Sequence, residues 1–389
     1  MKLKKSANPD STIAKFFLIA FALIGLQACS TRLPAAGLAA YDQCNYDKAI
    51  ETFASAKKKD KDLLLYDLAI LSSAVHKGDQ EEVKRVGQSA QQRMWGYEGS
   101  GKGTASLISS EAIRVYKGEP FEKSMASMYL GIAFFNEGDY ENARAAFTKA
   151  MFAMQIKGED TKADFAAPFV LLAKTYLKLN DEENARIVLT RLEKGTGTNI
   201  DAGILKKIRT IAFIELGKGP KKIRTGPGDS LIAWQRLSSP ASNASFYIDG
   251  RHVGEISLKD DLKYQAESVN RGAKETIQGT KGVLREASAI TSVIAANEAI
   301  NRKNETAGWV ALGAGLFALA NQSQADVRQW EMLPGYVQLV LTQEPQSAGN
   351  HRFGVDFLSS PMQVWYDERK DEMDKIYVVR ASACQSKKL

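Results

Sequence analysis

Apolar residues recur three or four apart through the first half of the chain and at alternate positions through much of the second. The first spacing lines one face of a helix and the second one face of a strand, so a helical part and a strand-rich part are expected. The clearest helical unit covers residues 129–150 (YLGIAFFNEGDYENARAAFTKA). Leu130, Gly131 and Phe134 face a second helix, Gly138-Asp139 makes the turn, and Tyr140, Ala143, Phe147 and Ala150 line the return face. Small residues at Gly131 and Ala143 let the helices approach, and Phe147 fills the space beside them. The pattern recurs. Ala173, Tyr176, Ala185 and Leu189 take equivalent places after an eight-residue insertion, and Ala49, Phe53 and Ala56 mark an earlier unit turning at Asn45. Val83 follows Ala49 by 34 residues, behind Lys77-Gly78-Asp79. Residues 200–216, with Ile204, Leu205, Ile208, Ile211 and Ala212 at helical spacing, are expected to cap the array as a last helix.

The period then changes. Residues 217–229 (GKGPKKIRTGPGD) combine Gly, Pro and positive charge, the composition of a linker. Beyond them, residues 231–237 read as a strand and 245–256 as a hairpin around Asp249-Gly250. Further strands are expected over 336–341, 352–358, 362–366 and 376–380, with a polar helix over 262–303. Residues 307–320 (AGWVALGAGLFALA) form a strongly apolar stretch. Fourteen helical residues reach about 21 Å, short of the roughly 30 Å hydrocarbon core of a bilayer. A buried helix is expected there, with an oligomer contact through Gly308, Gly313 and Gly315 as the alternative.

The start of the chain has its own pattern. Lys2, Lys4, Lys5 and Lys15 are followed by an eleven-residue apolar run at 16–26 and then by Leu26-Gln27-Ala28-Cys29. That order resembles a lipobox, so residues 1–28 are expected to be an export leader and Cys29 the lipidated first residue of the mature protein. Overall charge is +7; four lysines and one aspartate of the leader account for +3 of it, leaving a mild +4. So small an excess gives no reason to expect a nucleic acid partner. The array begins near Leu33, and four residues span at most about 14 Å, so it should lie against the membrane. Cys44 and Cys384 are far apart in sequence and are expected as free thiols, a disulfide being the alternative.

The helix-turn-helix units resemble tetratricopeptide repeats. Tyr116-Lys-Gly-Glu-Pro-Phe-Glu-Lys123 and Ala325-Asp326-Val-Arg328-Gln-Trp330-Glu-Met-Leu333-Pro334 further resemble blocks in a family of bacterial tetratricopeptide-repeat lipoproteins to which no reaction is assigned. The resemblance implies an envelope lipoprotein, with Ser30 favouring transfer to the outer membrane. The expected fold is α+β: a tetratricopeptide-like array over residues 29–216, a linker at 217–229, and a smaller mixed, β-rich domain over 230–389.

Such arrays leave a concave surface for proteins or peptides. His76, Asn136, Lys174 and Lys178 are the candidate partner-binding residues, and envelope proteins the candidate partners. Asp326, Arg328 and Trp330 share one face of an extended chain, and are expected as a buried ion pair under a Trp lid. Residues 96–104 (GYEGSGKGT) imitate a phosphate loop, but the preceding stretch reads as a polar helix and not as the strand such a loop needs. No catalytic set, metal-ligand spacing or cofactor motif emerges from His76, His252 and His351. The expectation is a non-enzymatic scaffold in outer-membrane or cell-wall assembly. A subunit of an oligomeric secretion or pore-like complex is the alternative, and a nucleotide-binding enzyme using residues 96–104 a remote one.

Overall fold

The computed structural model describes residues 33–57, 60–96, 115–154, 165–225, 231–237, 243–268, 325–357, 362–369 and 373–380. The expected leader, Cys29, Cys384, the glycine-rich loop beyond Gly96, residues 269–303 and the apolar stretch 307–320 lie outside them. Eight helices form four consecutive pairs: α1 (Ala35–Asp42) with α2 (Tyr46–Ala56), α3 (Leu63–Lys77) with α4 (Gln80–Gly96), α5 (Pro120–Asn136) with α6 (Tyr140–Ala153), and α7 (Ala166–Lys178) with α8 (Glu182–Thr196).

All four pairs turn in the same way. A residue with positive φ (Cys44, Gly78, Gly138 or Asn180) precedes Asn45, Asp79, Asp139 or Asp181. The N–H of each of these Asn or Asp residues returns to the carbonyl five residues back, on Ala40, Ala74, Phe134 or Tyr176, at 2.8 to 3.0 Å. The N–H before it bonds three residues back, and together they make a Schellman stop. The same Asn or Asp side chain then accepts the N–H of the third residue of the next helix, as an N-cap. Two adjacent residues therefore end one helix and begin the next.

Packing within the pairs is also repeated. A Cβ on Gly37 would lie 2.5 Å from the Phe53 ring, and one on Gly131 would lie 2.5 Å from the Phe147 ring. Each glycine precedes its phenylalanine by sixteen residues. The same interval separates Ala173 from Leu189 in the sequence of α7 and α8, whereas a Cβ on Gly87 of α4 would meet Leu130 of α5 at 3.1 Å.

Beyond the pairs the expectation of a final helix fails. Residues 202–207 form a short helix, α9 (Ala202–Lys207), and the chain then enters a strand, β1 (Thr210–Leu216). All seven β1 residues are buried, so the strand shows none of the alternation that marks a half-exposed one. The expected linker likewise contributes β2 (Lys221–Thr225), which pairs antiparallel with β3 (Leu231–Gln235).

The remaining strands are β4 (Ser245–Ile248), β5 (Arg251–Val253), β6 (Ile256–Asp261), β7 (Tyr336–Thr342), β8 (Gly349–Asp356), β9 (Gln363–Arg369) and β10 (Lys375–Arg380), with helix α10 (Leu262–Ser268) after β6. They form a sheet ordered β10-β1-β7-β6 and a second ordered β5-β4-β8-β9. Asp249 and Gly250 both take positive φ between β4 and β5, as the expected hairpin turn requires.

The layers follow from burial. α5 buries fifteen of its seventeen residues whereas α6 buries five of fourteen, so α5 is enclosed on all sides and α6 faces solvent on one. Ile211 and Phe213 of β1 join the core shared with the helices. Ala212, Ile214 and Leu216 point the other way, into a second core with Phe246, Ile248, Phe353, Val355 and Trp365. The order is outer helices, inner helices, first sheet, second sheet. Among the described residues no helix is long and apolar enough to cross a membrane.

Candidate functional site

The four residues expected on an open concave surface are engaged by the chain itself, His76 and Asn136 with strands and Lys174 and Lys178 with the residue that precedes β10. His76, near the end of α3, places Nε2 3.0 Å from the Glu215 carboxylate on β1 and Nδ1 2.7 Å from the Ser72 carbonyl. Asn136 donates to and accepts from the backbone of Ile376 on β10, each at 2.8 Å. Lys174, 1% exposed, pairs with Asp374 at 2.9 Å and donates to the carbonyls of Leu205, Lys206 and Ile208. Lys178 reaches the same Asp374 at 3.3 Å and lies over the Tyr140 ring. Where His76 and Asn136 lie, the inner surface of the array is covered by sheet, and with Lys174 they build an internal seam whose edge Lys178 marks.

Glu215 is the centre of that seam. Tyr129 donates its hydroxyl to Oε1 at 2.6 Å, and Tyr41 places its own hydroxyl 3.1 Å from the His76 ring. Burial pushes the Glu215 carboxyl up, but His76, the Tyr129 hydroxyl and Arg380 together hold it below the usual carboxylate range. One signal for Glu215 stood in the sequence: a single carboxylate inside the apolar run Ile-Ala-Phe-Ile-Glu-Leu.

The block at 325–334 is a strap across the array. Arg328 pairs with Asp326 and reaches Asp62 at 2.7 Å, the base of α3. Trp330 is 2% exposed, donates Nε1–H to Ser72 Oγ at 2.9 Å, and donates its backbone N–H to Glu122 Oε1 at 2.7 Å. The expected ion pair is present, but the ring over Arg328 is that of Tyr116, while Trp330 packs edge-on against Tyr129, and both contacts fasten this segment to the helices. Lys222 of β2 is bound into the same region by Glu119 at 2.6 Å. Burial works against its charge, yet Glu119 and Glu122 raise its ammonium above the ordinary value.

Where strap, β2, α1 and the end of β10 converge, a cleft of about 330 Å³ opens. Lys218, Lys221, Lys222, Arg328 and Arg380 line it, with Asp42 and Glu331 as the acidic residues and Leu38, Leu65, Leu237, Val327 and Met332 as apolar walls. Arg380 stacks 4.4 Å from the Tyr41 ring centre. Asp42 is shared between Lys218 at 3.2 Å and Arg380 at 3.9 Å. Three of the five cations come from the stretch whose Gly, Pro and Lys content reads as a linker, so sequence reasoning passed over them.

The other sequence candidates are dispersed. Gly96 ends helix α4, so a helix and no strand leads into the glycine-rich loop. His351 lies 2.7 Å from Asp249 at the hairpin turn, far in fold from His76. Cys44 is disulfide-bonded, which corrects the expectation of a free thiol; its partner is outside the described residues. Among the described residues, no cluster of three or more His, Cys, Asp or Glu is arranged to hold a metal. Compared with known protein families and with curated proteins, the chain matches none.

Proposed function

We propose that the chain is a lipid-anchored cell-envelope protein that works by binding, with a tetratricopeptide-like array as its frame and the cleft beside α1 as its binding site. The observation that carries this reading is Cys29 behind a basic and apolar leader. Three further features support it. Leu33 is already 4% exposed, so the folded body starts four residues after the anchor. The four repeated turns and the Gly-Phe packing match what tetratricopeptide units need. The disulfide at Cys44 suits an oxidising compartment outside the cytoplasm. The inner residues first expected to hold a partner are engaged by the chain itself, which moves the binding role to the cleft.

Replacing Cys29 with Ala tests the anchor. Metabolic labelling with palmitate should mark the unaltered chain and leave the Cys29→Ala chain unlabelled and released from the membrane fraction. A wild-type chain that takes no label and stays soluble defeats the proposal. Co-purification from detergent-solubilised membranes should then recover envelope partners with the labelled form.

A further inference from the structure

We propose that the cleft beside α1 binds a phosphate group carried on an apolar body, as in the headgroup of an anionic phospholipid. This rests on the anchored reading for one point only, that the cleft lies close to a bilayer. Leu38, Tyr41 and Asp42 of α1 line it, and α1 begins six residues after Cys29.

Lys222 is answered by Glu119, and Arg328 by Asp62 and Asp326, none of which lines the cleft. Asp42 lies 3.2 Å from Lys218 and 3.9 Å from Arg380, and Arg380 is further answered by the buried Glu215 carboxylate behind it. Lys221 is exposed and makes no ion pair among the described residues, while Glu331 is the other acid of the lining. Lys221 is thus the cation of the lining that no carboxylate among the described residues neutralises, and an arriving anion meets it at the exposed mouth. A phosphate accepts from ammonium and guanidinium donors alike. The walls Leu38, Leu237 and Met332 give the attached apolar body a place that a bare ion would leave wet.

Flotation with vesicles tests this, using the chain from residue 29 with Cys29→Ser so that no acyl anchor contributes. Vesicles of equal parts phosphatidylcholine and phosphatidylglycerol should carry the protein, and vesicles of phosphatidylcholine alone should not. Lys218→Glu with Lys221→Glu should lower binding by about fivefold or more per lysine, the effect of one basic residue at an anionic surface. A charge-matched control, Arg85→Glu with Arg186→Glu on the exposed faces of α4 and α8, should leave it unchanged. Equal loss in the control, or equal binding to both vesicles, overturns the proposal. Displacement by inorganic phosphate at constant ionic strength overturns the lipid form and assigns the cleft to free phosphate. Palmitate labelling of the wild-type chain reports the anchor separately, so a labelled protein whose cleft variants bind undiminished defeats this inference alone.

Discussion

At the scale of single residues, two of the helix pairs depend on a glycine where the partner helix lays a phenylalanine ring against it. A methyl group on Gly131 would stand 2.5 Å from the Phe147 ring, closer than any real contact allows. Gly131→Ala should therefore cost about 1–3 kcal/mol of overpacking, read as a lower midpoint in urea unfolding. Adding Phe147→Leu should recover part of the loss, because leucine lacks the ring atoms that the added methyl would meet. No recovery would mean that backbone strain, and not the ring, sets the cost. Arg328 presents the opposite case, a buried cation with two carboxylates around it. Arg328→Ala leaves Asp62 and Asp326 facing each other without it and should destabilise by about 3–5 kcal/mol. Arg328→Lys should restore little, since a single ammonium cannot reproduce the guanidinium fork that joins both partners. Thermal unfolding of the two variants separates these outcomes.

Among elements, the edges of the first sheet are closed by the helices. Asn136 satisfies the outer edge of β10, and Asp260 of β6 accepts from the first amides of α7, Ala166 at 2.8 Å and Ala167 at 3.0 Å. Burial raises the Asp260 carboxyl to about 7, against the pull of those two amides. A carboxyl whose value is higher folded than unfolded favours the folded state fully at low pH. Its contribution fades as pH rises from about 4 and is gone above about 7. Stability should fall across that window, and Asp260→Asn should remove that part of the slope, as a series of unfolding curves at stepped pH would show. The helix pairs were legible in the sequence because each closes within one short stretch and keeps a helical period. The Asp326, Arg328 and Trp330 strap was legible for a similar reason, its alternate spacing surviving in an extended segment. β1 was not, because a strand covered on both faces has no polar side, and its Ile and Ala spacing happened to continue the helical count. β2 was hidden by lysines whose partner, Glu119, lies 103 residues away. The seam was missed for the same reason: His76 and Glu215 are 139 residues apart and neither announces the other.

For the molecule as a whole, the stacking of two helix layers on two sheets leaves β1 buried on both faces and paired along both edges. The helical array is therefore one half of a shared core, unlike a free-standing solenoid whose units touch only their neighbours. The register of β1 has a consequence in time. Its antiparallel partner β7 begins at Tyr336 and its parallel partner β10 at Lys375, more than a hundred residues behind it in the chain. The helix pairs can close as soon as each has emerged, whereas the central strand must wait, bare along both edges, until β7 and then β10 have been made. Pairings so distant along the chain form slowly and invite mispairing meanwhile. An escort that shields apolar strands would be needed during that interval, and a nascent chain stalled before β10 should be the form that it holds longest.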